Sequence, residues 1–79
     1  MDAILKFTRC VMIDKRNLEV KEGDWILVYE SWGKTLKEGI FRSYDEEETR
    51  VRYLNPDTGR INSVLLGRGR IYKLPARGL

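Results

Sequence analysis

Turn-forming residues interrupt this 79-residue chain at short intervals, and no segment between them has the length or the clean 3.6-residue apolar period of a long helix. The interruptions are "KEGD" at 21–24, the polar run 31–39 with its two glycines, the acidic tetrad 45–48, "NPDTG" at 55–59 and "GRGR" at 67–70. What lies between them is rich in β-branched and aromatic residues and reads as strand. Short half-buried strands must close on one another to bury their apolar sides and hide their edges, so the expectation is an all-β domain.

The strand readings are specific. "WILVYE" places Ile26 and Val28 on one side and Trp25, Leu27 and Tyr29 on the other. "IFRSY" follows the 31–39 connection, and the tetrad then turns the chain into "TRVRYL", where Val51 and Tyr53 share one face and Arg50 and Arg52 the opposite one. "NPDTG" is the best hairpin signal, because Pro56 presets the φ of a turn and Gly59 can take the left-handed closing position. Gly23 has the same freedom in the "KEGD" turn. The returning strand "RINSVLL" has apolar residues of both parities, which suggests a bend or bulge. "RIYKLP" is a closing strand that Pro75 stops, leaving 76–79 as a loose tail.

Residues 1–20 form an N-terminal extension to a core at 21–75. "AILKFTRCVMI" reads either as a helix with Ile4, Phe7 and Val11 inward or as a strand, and "NLEV" after the polar turn "DKRN" would be the second arm of a hairpin. A chain of this size makes one domain. Cys10, the only cysteine, lies in an apolar run and is expected to be buried and inert, which fits a reducing, cytoplasmic compartment. The N-terminus lacks the charged-then-apolar order of a signal peptide, no apolar run is long enough to span a bilayer, and no membrane partner is expected.

Catalysis has little to work with. The chain has no histidine, which removes the commonest general base, every His-dependent triad and the usual zinc sites, so no catalytic residue, metal ligand or cofactor is assigned. Charge is more informative. Residues 1–48 carry 8 basic and 11 acidic side chains, for −3, whereas 49–79 carry 7 basic and 1 acidic, for +6, and the two sum to the +3 of the whole. Such asymmetry favours an anionic partner for the basic half.

From residue 18 to residue 74 the order of features resembles the SH3-like small barrel of Tudor and KOW domains. "EGDWILV" looks like their opening Gly-Asp turn and first strand, "KEGIFRSYD" like the second strand, "TRVRY" like the third, and "RIYKL" like the last strand after a short turn. The resemblance implies a barrel of about five strands, with the N-terminal hairpin or short helix added to it. A weaker resemblance is to Sm-like RNA-binding proteins: Gly39, Phe41, Tyr44 and Asp45 match their first motif, and "GRGRI" faintly resembles the second. Thr49 stands where those proteins carry an RNA-contacting asparagine, and the interval from Gly33 to Gly39 is one residue longer than theirs.

These readings give a non-catalytic binding module, a monomer or small homo-oligomer. Nucleic-acid backbone, DNA or RNA, is the first partner class, contacted by Arg50, Arg52, Arg60, Arg68, Arg70 and Lys73. Tyr29, Trp32, Tyr44 and Tyr72 could add aromatic contacts. The resemblance to Tudor domains also implies a cation–π cage from Trp32, Tyr44 and Tyr53. The alternative is a protein-interaction adaptor, Tudor-like or edge-strand binding, of viral or mobile-element origin, using a strand edge or the face of Trp25, Leu27 and Tyr29. Val51, Ile26, Val28, Phe41 and Ile71 are the expected core.

Overall fold

A computed structural model describes residues 8–31 and 34–75, and every regular element in them is a strand. In chain order these are β1 (Thr8–Arg9), β2 (Val11–Ile13), β3 (Glu19–Lys21), β4 (Trp25–Glu30), β5 (Thr35–Asp45), β6 (Arg50–Asn55), β7 (Arg60–Leu65) and β8 (Gly69–Lys73). The long sheet has the order β7-β6-β5-β4-β8, with β1 paired to the end of β5, and β2 and β3 form a separate antiparallel hairpin. Among the described residues no ladder joins β7 to β8, so the sheet is not a closed barrel. Of the two N-terminal alternatives, the hairpin is found over 11–21, while residues 1–7 and the tail 76–79 lie outside the described residues.

The period of two predicts the core correctly. Ile26, Val28, Phe41, Val51 and Ile71 are all buried, joined by Tyr53 and Val64 from the same face of the sheet. Met12 and Val20 of the hairpin complete the core from the opposite side, so β2 and β3 act as the lid on this face. Gly39 sits where the Tyr53 ring crosses β5: a Cβ there would lie 2.4 Å from Tyr53 Cδ2. The turn glycines also behave as the sequence implies, with φ of 96° at Gly23 and 74° at Gly59.

Three expectations are corrected. Residues 35–39 are not part of a loop; they form the first half of β5, paired rung for rung with β4 from Glu30↔Thr35 to Trp25↔Ile40. Leu36, Lys37 and Glu38 are exposed on a strand whose partner β4 buries Val28 opposite Lys37, so polarity there does not mark the absence of a strand. The irregularity expected in "RINSVLL" lies instead in β5, between Phe41 and Ser43, while β6 and β7 pair without a break. Both parities of β7 are apolar because Val64 faces the core and Ile61 faces out, 51% exposed. Cys10 is exposed, since it falls between β1 and β2 where the chain leaves one sheet for the other.

One carboxylate both shapes the hairpin turn and bonds it to the sheet. Asp14 Oδ1 accepts the N–H groups of Arg16 and Leu18, each at 2.8 Å, which shapes the turn, and Oδ2 accepts the N–H of Lys73 at 2.6 Å. Asn17 closes that turn with φ of 67°, a conformation asparagine tolerates. Burial raises the Asp14 pKa, but the N–H groups of Lys73, Leu18 and Arg16 and the Arg16 guanidinium outweigh it and hold the carboxyl below its ordinary value. Next to it, Lys15 N–H donates to the Ile71 carbonyl at 3.0 Å, and the Arg16 guanidinium donates to the Lys73 carbonyl.

Candidate functional site

The basic residues of the second half fall into distinct places. Arg68 lies in the tight turn that ends β7 and starts β8: its N–H donates to Leu65, and its carbonyl accepts the Ser31 N–H at 2.9 Å and the Ser31 hydroxyl at 2.6 Å. Arg70 follows on β8 opposite Tyr29, its guanidinium carbon 5.8 Å from the centre of that ring. The hairpin turn brings Lys15 to the same corner through its bond to Ile71. Together Lys15, Arg68 and Arg70, with Ser31, rim an open groove of about 360 Å³ whose apolar wall includes Met12, Leu66 and Ile71.

Among the described residues no acidic side chain lines this groove. Among the described residues none of its three cations has a carboxylate within 4 Å. The groove therefore concentrates positive charge against a partly apolar wall, which suits an anionic ligand that also carries apolar surface. A neighbouring cavity beyond Met12 and Leu66 is different, because Glu19 and the Arg9–Glu46 pair, 3.2 Å apart, balance its charge.

Arg50 and Arg52 project from the outer face of β6. Arg50 is held by Glu48 at 3.1 Å and by Ser63 at 3.2 Å, and its cross-strand neighbour Leu65 leads directly into the turn that bears Arg68. Arg60 is at the other end of the hairpin opposite Asn55, roughly 17 Å along the strand at 3.3 to 3.4 Å per residue. Lys73 is at the far end of β8, its ammonium 3.6 Å from Asp24. The six residues named from sequence thus do not share one surface: Arg68 and Arg70 converge, Arg50 and Arg52 adjoin that corner, and Arg60 and Lys73 stand apart.

The aromatic candidates also separate. Tyr53 is fully buried, which removes it from any cation-binding cage, and among the described residues its hydroxyl has no hydrogen-bond partner. Tyr44 is half-buried and packed on the core. Tyr29 and Tyr72 are half-buried on the outer face, each with a guanidinium near its ring, from Arg70 and Arg16 respectively. Trp32 lies outside the described residues. The acidic tetrad is ordered as a turn by Asp45, whose Oδ1 accepts the N–H groups of Glu47 and Glu48.

Lys15 and Ser31 escaped sequence reading. Each is a polar residue in a turn; Lys15 meets Arg68 and Arg70 because the hairpin folds back on β8, and Ser31 because β4 pairs with β8 up to Glu30↔Gly69. No family model, curated protein or solved structure matches this chain.

Proposed function

We propose that this chain is a non-catalytic module that binds the phosphate backbone of nucleic acid at the groove of Lys15, Arg68 and Arg70, with Arg50 and Arg52 extending the contact along β6. The observation that carries this reading is the convergence of three cations, without carboxylate partners among the described residues, on one concavity. Phosphate contacts need flexible cations and a surface that admits a strand, and little else. Ser31 adds a hydroxyl, and the apolar wall can accept a sugar or base edge. Arg60 and Lys73 drop out of the binding set on grounds of distance and pairing.

We also read the sheet as the SH3-like small-barrel pattern. The meander β4 to β7 with β8 returning beside β4 supports this, as does the close approach at the β7–β8 corner. A Cβ at Gly69 would meet the Tyr29 carbonyl at 2.6 Å and Val64 Cγ2 at 2.8 Å.

Fluorescence anisotropy with short labelled DNA and RNA is the test. Engagement of three phosphates on a duplex gives a slope of log affinity against log salt near −2.7, so affinity falls about 40-fold between about 50 and 200 mM salt. Absence of binding at about 50 mM salt would overturn the reading and move the protein-adaptor alternative to first place.

A further inference from the structure

The long sheet ends in two strands, β7 and β8, and their free edges differ. The edge of β8 is capped by the hairpin turn: Lys15 N–H donates to Ile71, and Asp14 and Arg16 bond the N–H and C=O of Lys73. Among the described residues the edge of β7 is bonded only at its end, where the Arg68 N–H donates to the Leu65 carbonyl, and no strand pairs with it.

Its free edge can be read bond by bond. The Leu66 N–H donates to Thr49 one rung beyond the Arg50↔Leu65 pair. Hydrogen-bonded pairs alternate along an antiparallel ladder, so Val51↔Val64 and Tyr53↔Asn62 are the bonded pairs. Ile61 and Ser63 therefore turn both N–H and C=O outward, Leu65 turns its N–H outward while its C=O accepts the Arg68 N–H at 2.9 Å, and by the period of two the same three side chains share the outer face. β7 contains no proline, and its only charge is Arg60 at one end, so it lacks the features that usually keep an edge from pairing.

We infer that β7 is a homodimer interface, in which a second copy of this chain adds its own β7 antiparallel about a two-fold axis at Ser63. In this register Ser63 meets Ser63 of the second copy, and Ile61 meets Leu65 of the second copy on either side. Ser63 then exchanges both backbone bonds with its copy, each Ile61 C=O accepts the Leu65 N–H of the second copy, apolar side chains face apolar ones, and Arg60 falls opposite Leu66, with no like charges opposed. A shift of one residue would oppose core-facing to outward-facing side chains.

The dimer continues a row that the monomer leaves open. Trp25, Ile40, Leu54 and Ile61 are cross-strand neighbours over β4, β5, β6 and β7, and Leu65 of the second copy extends them. The Arg50 and Arg52 pairs of the two copies then flank the axis, three strand spacings or about 14 Å apart, beyond the roughly 8 Å screening length at physiological salt.

Light scattering coupled to size exclusion, run on the 79-residue chain over a concentration series, reads the outcome. The expected mass approaches twice the 9.3 kDa of one chain as concentration rises. Ser63→Lys, which opposes two ammonium groups at the axis, should return it to one chain mass with an unchanged circular-dichroism spectrum. In a Cys10→Ser background, Ser63→Cys should couple to a second copy through a short thiol crosslinker, whereas Asp57→Cys at the distant hairpin turn should not. A chain that stays monomeric at about 0.5 mM, a ring or chain of more than two copies, or crosslinking equal at both positions would each overturn the inference.

Discussion

Asp14 Oδ2 accepts the backbone N–H of Lys73 at 2.6 Å across a sequence separation of 59 residues. Together with the bonds from Lys15 N–H to Ile71 and from Arg16 to the Lys73 carbonyl, it ties the N-terminal hairpin to β8 and helps set the position of Lys15 at the groove. Asp14→Ala leaves three N–H groups without their acceptor and should cost about 2 to 4 kcal/mol, read by urea denaturation.

The same carboxylate gives a pH dependence. Its folded pKa is depressed below the ordinary 3.8, so its contribution is present above that value and is lost as pH falls through the folded pKa. Stability of the wild type should therefore decline below about pH 4. In Asp14→Asn the decline should be shallower, and equal slopes for the two proteins would show that Asp14 is not the group responsible.

Gly39 and Gly67 make a matched pair. A methyl group at Gly39 would meet the buried Tyr53 ring and, at 3.1 Å, the Leu54 carbonyl, whereas nothing lies within 4 Å of one at Gly67. Gly39→Ala should cost about 1 to 3 kcal/mol and Gly67→Ala should fall within about 0.5 kcal/mol of wild type. Tyr53→Phe, which removes a buried hydroxyl with no partner among the described residues, should be neutral or slightly stabilising.

Thr49 closes the acidic turn with φ of 53°, a costly conformation for a β-branched residue. Asparagine tolerates it, so Thr49→Asn should stabilise by about 0.5 to 1 kcal/mol and raise the melting temperature by a few degrees.

The two ends of the basic half should separate in binding. Lys15→Ala, Arg68→Ala and Arg70→Ala combined should reduce the salt slope by about 2.7, while Arg60→Ala changes it by less than about 0.5, both read by anisotropy with the same labelled duplex. Equal effects would show diffuse charge attraction in place of a site.

Much of the fold was legible in the sequence, because a strand's side chains alternate and a turn's residues are few. Val51 with Tyr53, Ile26 with Val28, and Gly59 at φ of 74° all follow from such local rules. Local rules also mislead where part of an element is solvated. Thr35, Lys37 and Glu38 are polar because these positions of β5 are solvated, and Cys10 is exposed because the chain crosses between sheets there. What only the tertiary structure decided is which residues meet. Lys15 comes to Arg68 and Arg70, and Asp14 to Lys73, because apolar Met12 and Val20 must cover the concave face of a sheet that β4 to β8 alone leave open. Periodicity fixes the face on which a side chain lies, but burial of the remaining apolar surface selects its distant neighbours, and that choice depends on the whole chain at once.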